Sequence, residues 1–148
     1  MKVLFCTSNK IGAVLIRGVT WSKWSHVAIL LGDGTAVEAV YPKVRRVSEQ
    51  YLKNKYPKYT VVEINIEGVN DEDLVASALS QLEKSYDLKA LVGLLIHRDW
   101  ASDSQWWCSE LAAWLWKDNG YSLFRDEAMN RITPQHLWML NYPIVEEK

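Results

Sequence analysis

Cysteine is scarce in this chain of 148 residues, which contains only Cys6 and Cys108. Two cysteines give no disulfide framework, so the fold has to rest on a buried core. The longest apolar run, Ala90–Ile96, is far shorter than the ~20 residues that span a bilayer. The N-terminal run Val3–Cys6 is also shorter than the about 7–15 apolar residues of a signal peptide. We therefore expect synthesis in the cytoplasm, with no transmembrane segment and no signal peptide.

An excess of positive charge is also lacking, because 17 Lys and Arg residues are balanced by 18 Asp and Glu residues. A near-neutral chain without a basic stripe does not favour nucleic-acid binding. Hydrophobic residues make up 49% of the chain and charged residues 24%, as in ordinary soluble proteins. We expect one globular domain over residues 1–148, long enough to bury roughly two-thirds of its unfolded surface.

Short β-rich runs fill most of the first half of the chain, and helical patterns fill most of the second half. This segregation favours an α+β fold with an antiparallel sheet over the regular βαβ alternation of a parallel sheet. The predicted strands are Lys2–Cys6, Val27–Leu31, Thr35–Tyr41, a short run around Arg45 and Arg46, and Tyr59–Ile66. The predicted helices are Ile11–Val19, Ser48–Lys55, a segment capped by Asn70, Asp87–His97, Trp106–Lys117 and one from Thr133 to Leu140, with a polar loop at Arg98–Gln105.

Cys108 lies at the start of a predicted helix. Together with Leu111, Ala112 and Leu115 it forms a stripe with helical spacing, so its thiol is expected to face the packed side of the helix. The free N–H groups at a helix N-terminus lower the pKa of a thiol. The alternative at this point is a buried, inert cysteine, which is the common state of an intracellular thiol.

His26 and Glu38 lie on the two strands of a predicted hairpin around Gly32-Asp33-Gly34. If these three residues form the loop, Ala28 lies opposite Glu38, and His26 is the diagonal neighbour of Glu38 on the same face. A diagonal pair is ~7–8 Å apart at the backbone, which long side chains can bridge. A two-residue turn would place the two side chains on opposite faces, so the register is decisive. The alternative is a solvent-facing pair.

A cysteine at a helix start, a histidine and an orienting carboxylate form a nucleophile–base–orienter arrangement. In this interpretation Cys108 attacks a carbonyl, His26 handles the proton, and Glu38 orients the imidazole. The residues alone do not fix a contact between Cys108 and His26. No close-spaced pair of metal ligands accompanies them, so we expect neither a metal nor another cofactor.

Two segments, SHVAILLGDGTAVEAV and WWCSELAAWLW, resemble the permuted branch of the NlpC-type papain-like cysteine peptidases, and most of all its YiiX-like group. In that branch the hairpin with the histidine precedes the cysteine helix. The segment LIRGVTWSKWSHV, the run Ser85-Tyr86-Asp87 and the pair Thr133-Pro134 also resemble elements of the family. The resemblance covers nearly the whole chain.

The resemblance implies a small antiparallel sheet with the nucleophile helix packed across it, and it matches Cys108, His26 and Glu38 to the catalytic residues. We also expect four residues along the substrate groove. These four residues are Trp24, Ser25, Tyr86 and Trp107. Ser25 could lend its backbone N–H to an oxyanion hole, but we favour the N–H of Cys108, because amides at a helix N-terminus already point there. The chain departs from the family pattern in having Trp106-Trp107 before the cysteine, where Tyr or Phe is usual, and in lacking the Gly that commonly precedes the Tyr-Asp pair.

The function implied by the resemblance is that of a metal-independent cysteine peptidase or amidase that forms an acyl-enzyme. Its expected substrate is a bacterial cell-wall peptide, such as a murein fragment. One alternative is a lipid-directed thioesterase or acyltransferase with the same fold, and another is a catalytically silent binding module. Three explanations of how the protein meets its substrate stay open: release by cell lysis, delivery by a phage particle, or a substrate that is itself cytoplasmic.

Overall fold

Six antiparallel strands form one sheet in the computed structural model, which describes residues 1–9, 11–86 and 106–148. The strands stand in the order β4-β3-β2-β1-β5-β6, so that the first strand lies near the middle. Their bounds are β1 Lys2–Thr7, β2 His26–Leu30, β3 Thr35–Val40, β4 Lys43–Ser48, β5 Lys58–Glu63 and β6 Ile144–Glu147. The α+β class and the antiparallel sheet predicted from the sequence are confirmed.

Helices cover both faces of the sheet. The described helices are α1 Ile11–Thr20, α2 Glu49–Lys55, α3 Asp71–Ser80, α4 Cys108–Asp118 and α5 Pro134–Trp138, with a 3-10 helix at Asp126–Arg131. Among these described helices, none has the length and apolar character needed to cross a membrane. The predicted helix Asp87–His97 and the predicted loop Arg98–Gln105 lie outside the described residues.

Side-chain alternation divides the core into two clusters. Val27, Ile29 and Val37 face α4 and pack with Leu111 and Leu115, and we call this group the α4-side cluster. The alternate residues of the same strands face α2 and pack around Leu52, in a group we call the α2-side cluster. The nucleophile helix of the resemblance is therefore α4, packed across β2 and β3 as expected.

The β2–β3 hairpin has the register that a three-residue loop predicts. Ile29 pairs with Val37, Leu30 pairs with Ala36, and the Leu31 N–H donates to the Thr35 carbonyl at 2.9 Å. Gly32 and Gly34 both have a positive φ, at 84° and 82°, which glycine adopts without strain. These contacts confirm the three-residue loop Gly32–Gly34 and place His26 and Glu38 on one face.

Candidate active site

A row of polar side chains crosses four strands on the α2 side of the sheet. Cys6 pairs with His26 between β1 and β2, and Glu38 pairs with Arg45 between β3 and β4. His26 Nε2 lies 2.7 Å from Glu38 Oε2, so the diagonal pair predicted from the hairpin makes a direct hydrogen bond. Glu38 has none of its surface exposed, and His26 only 8%. The pair is therefore internal, and the solvent-facing alternative does not apply.

Cys108 approaches His26 from the other side of the sheet. It is the first residue of α4, follows the N-cap Trp107, and packs in the α4-side cluster. His26 is the first residue of β2, so the sheet surface ends there and the two side chains meet around that end. Each of the two groups shifts the pKa of the other, so the thiol and the imidazole interact directly. Because Nε2 contacts Glu38, the other ring nitrogen, Nδ1, is left for the thiol.

Burial and hydrogen bonding shift the pKa values of His26 and Glu38 in opposite directions. Burial disfavours the imidazolium of His26, but hydrogen bonds with Cys108 and Glu38 outweigh it and raise the pKa from 6.5 to about 9. Burial would likewise keep Glu38 neutral, but the hydrogen bonds from His26 and Arg45 lower its pKa to about 2. Glu38 is therefore a carboxylate at neutral pH.

The pKa of the Cys108 thiol is lowered even though burial acts to raise it. The opposing causes are the hydrogen bond with His26, the imidazolium charge, and the backbone N–H groups of Val27 and Ser109 aimed at Sγ. The N-terminal end of α4 adds the positive end of the helix dipole. These groups can hold a thiolate beside an imidazolium, which is the state that makes a cysteine nucleophilic.

Cys6 differs sharply from Cys108 although both thiols are buried. Burial raises the Cys6 pKa well above its ordinary value, and the charges of Cys108 and Glu38 raise it further. Its Sγ lies 3.8 Å from the His26 carbonyl oxygen, and the opposing influence of Lys55 and Tyr56 on its pKa is smaller. Cys6 is thus a neutral thiol in the core.

Tyr56 and Arg45 belong to the site but were not predicted from the sequence. The Tyr56 ring stacks on the His26 imidazole, with centroids 5.8 Å apart and planes 26° apart. Arg45 donates from Nε and Nη2 to Glu38 Oε1, at 3.0 and 2.7 Å. Counting residue pairs across the β3–β4 hairpin would place Arg45 opposite Glu38. The turn contains no glycine, however, so its length could not be predicted from the sequence. No sequence signal points to Tyr56, since it follows α2 and reaches His26 only through the tertiary fold.

The four residues predicted to line the groove have different environments. Trp24 is buried and packs on Phe5 and Trp138, with ring centroids 6.2 and 5.2 Å away, so its indole belongs to the core. Trp107 is also buried, as the N-cap of α4. Tyr86 is half-buried and forms an isolated bridge with Trp106, which brings it next to the start of α4.

Ser25 requires a correction. Its backbone N–H donates to the Cys6 carbonyl at 3.1 Å, and its hydroxyl lies 3.4 Å from the same oxygen. The N–H expected as an oxyanion-hole donor is therefore occupied by the contact that joins the end of β1 to the start of β2. The N-terminal amides of α4, including that of Cys108, are better placed for that role.

Comparison with known proteins supports the fold. No protein-family model matches the sequence, and no curated protein matches it. Among solved structures, the crystal structure of the metalloprotein YiiX from Escherichia coli O157:H7 (DUF1105) matches with a TM-score of 0.65. The match covers 99% of this chain and 85% of that chain at 20% sequence identity. The chain has a YiiX-like fold.

The metal that the description of YiiX implies does not fit the residues described for this chain. Within 1–9, 11–86 and 106–148, no three His, Cys, Asp or Glu side chains are grouped so that they could hold a metal ion. Cys108, His26 and Glu38 do lie together, but their donor atoms are engaged with one another and with Arg45.

Proposed function

We propose that this chain is a cysteine hydrolase that cleaves an amide bond through an acyl-enzyme. The observation that carries the proposal is the buried hydrogen bond between Glu38 and His26, with the Cys108 thiol, at the N-terminus of α4, interacting with the same imidazole. In the proposed reaction, the Cys108 thiolate attacks the carbonyl carbon and a carbon–sulfur bond forms. The N-terminal amides of α4 stabilise the oxyanion.

His26 transfers the protons of both half-reactions. It gives its proton to the leaving nitrogen as the carbon–nitrogen bond breaks, which leaves a thioester on Cys108. The neutral imidazole then takes a proton from water, the resulting hydroxide attacks the thioester, and the acid product leaves as the thiolate reforms. Glu38 stabilises the imidazolium and holds the ring so that Nδ1 faces the thiol.

Within this class we propose a bacterial cell-wall peptide as the substrate, because the family that the sequence resembles acts on such peptides. A lipid-directed thioesterase or acyltransferase would use the same three residues, and a silent binding module would use none of them for chemistry. The test must therefore separate amide cleavage, acyl transfer and binding alone.

The experiment incubates wild-type protein with purified murein fragments and, separately, with an acyl-lipid mixture, and follows both by mass spectrometry. We expect new peptide fragments, together with a transient increase in protein mass at Cys108. Cys108→Ala should abolish both, whereas the matched control Cys6→Ala should retain both, since the Cys6 thiol is not at the reacting centre. Cleaved acyl lipids with intact murein would support the thioesterase alternative. Turnover that persists in Cys108→Ala would refute the cysteine mechanism.

A further inference from the structure

Arg45 and His26 hold different oxygens of the same buried carboxylate. The guanidinium donates twice to Glu38 Oε1, while His26 Nε2 contacts Oε2. Arg45 lies directly opposite Glu38 in the β3–β4 register, so the backbone itself aligns the two side chains. The guanidinium also lies 6.0 Å from the Tyr51 ring centroid, which restricts it on a second side.

Glu38 depends on these partners because none of its surface is exposed. A buried carboxylate oxygen without a hydrogen-bond donor is costly, so it would turn toward another donor or draw in water. Arg45 prevents such a rotation, because its two hydrogen bonds to Oε1 are made in the orientation observed. We infer that Arg45 is a positioning residue of the proposed hydrolase, clamping Glu38 so that its second oxygen stays directed at His26.

The inference deepens the proposed function and rests on it, because the geometry that Arg45 maintains is that of the Cys108–His26 pair. Charges alternate along the chain as guanidinium, carboxylate, imidazolium and thiolate. Loss of Arg45 would release the carboxylate that holds the imidazolium in place beside the thiolate. A misplaced imidazolium stabilises the thiolate less, so the thiolate becomes harder to form.

Other titratable groups surround this chain of charges and could contribute to any pH dependence. Cys6 lies on β1, Lys55 and Tyr56 lie at and just after the end of α2, and Glu110 lies in the first turn of α4. Tyr51, on α2, is the titratable group beside the guanidinium itself, and none of these groups is replaced in the Arg45 variants. A comparison between variants at fixed pH therefore isolates the contribution of the guanidinium.

The test measures the rate at which iodoacetamide alkylates Cys108 as a function of pH, read from the mass of the peptide that contains it. In Arg45→Met we expect the thiolate midpoint to rise by about one pH unit, so that alkylation near pH 6 slows about tenfold. Arg45→Lys keeps the charge but not the two-pronged contact, so its curve should lie between those of wild type and Arg45→Met.

Arg46→Met is the matched control, because Arg46 is the next residue on β4, faces the other side of the sheet, and pairs with Asp33. Its side chain is 43% exposed, against 39% for Arg45. It should leave the Cys108 curve unchanged. If Arg45→Met does not fold, Arg45→Lys still tests the clamp.

An Arg45→Met or Arg45→Lys curve that coincides with that of wild type would overturn the inference, as would an equal shift in Arg46→Met. Neither result would touch the proposed function, which fails instead if Cys108→Ala keeps turnover. The two failures are thus distinguishable, since the alkylation assay needs no knowledge of the substrate.

Discussion

Replacement of Glu38 by Gln should impair the site through a conflict of hydrogen-bond donors. Arg45 has donors only, so it requires the amide oxygen of Gln at this position. The amide NH₂ group would then face His26 Nε2, which could accept a hydrogen bond only if it carried no proton. The imidazolium, which needs a proton on both nitrogens, would be disfavoured.

The magnitude follows from the cost of one unsatisfied buried hydrogen bond, about 1–3 kcal/mol. That range corresponds to a loss of roughly 5- to 150-fold in the population of the thiolate–imidazolium pair. Alkylation of Cys108 near pH 6 should slow by this factor in Glu38→Gln. Gln has nearly the volume of Glu, so the fold should persist, which circular dichroism can check.

The double variant Glu38→Gln/Arg45→Met gives the sharper result. Without the guanidinium, the amide oxygen is free to turn to His26 and accept from Nε2, as the carboxylate does. Arg45→Met should therefore slow alkylation in the wild-type background but speed it in the Glu38→Gln background. A double variant no faster than Glu38→Gln would refute the donor conflict, and additive losses would show that the two residues act independently.

Two further predictions concern the thiols and the pH dependence. At mildly acidic pH, iodoacetamide should label Cys108 in the folded protein and leave Cys6 unlabelled, and His26→Ala should slow the labelling of Cys108. Equal labelling of both thiols, measured by peptide mass, would contradict the identification of Cys108 as the reactive thiol. The profile of kcat/KM against pH should be bell-shaped, because the thiolate forms as pH rises through the lowered Cys108 pKa and the imidazolium is lost as pH rises through about 9. A rate that keeps rising well above pH 9 would show that the imidazolium is not required.

The hairpin could be predicted from the sequence because local rules determine it. A Gly-Asp-Gly loop fixes the register, and a period of two then fixes which side chains share a face. The pairing of His26 with Glu38 follows from these two rules alone. The predicted cysteine helix begins two residues too early, at Trp106 rather than Cys108, because the N-cap residue Trp107 has no side chain that caps a helix by hydrogen bonding.

Other features depend on tertiary packing, which the sequence pattern does not encode. Nothing in the stripe of α4 indicates that the helix covers the face opposite His26 or that Cys108 reaches the imidazole around the end of β2. Strand β6, Ile144–Glu147, was not predicted, since all four of its residues are exposed and show no buried alternation. It pairs with β5 through backbone hydrogen bonds.

In the proposed reaction, the charge on the Cys108 sulfur controls how readily the His26 imidazolium gives up its proton. Before acylation, the hydrogen bond with the Cys108 sulfur is the largest cause that raises the pKa of His26, and burial opposes it. When the carbon–sulfur bond forms, the negative charge leaves the sulfur for the oxyanion of the tetrahedral intermediate, and burial of the imidazolium acts with less opposition. The imidazolium then becomes a stronger acid at the moment when the leaving nitrogen needs a proton. Glu38, fixed between Arg45 and His26, keeps the ring in place while this proton leaves, so that the neutral imidazole can activate water in the second half-reaction.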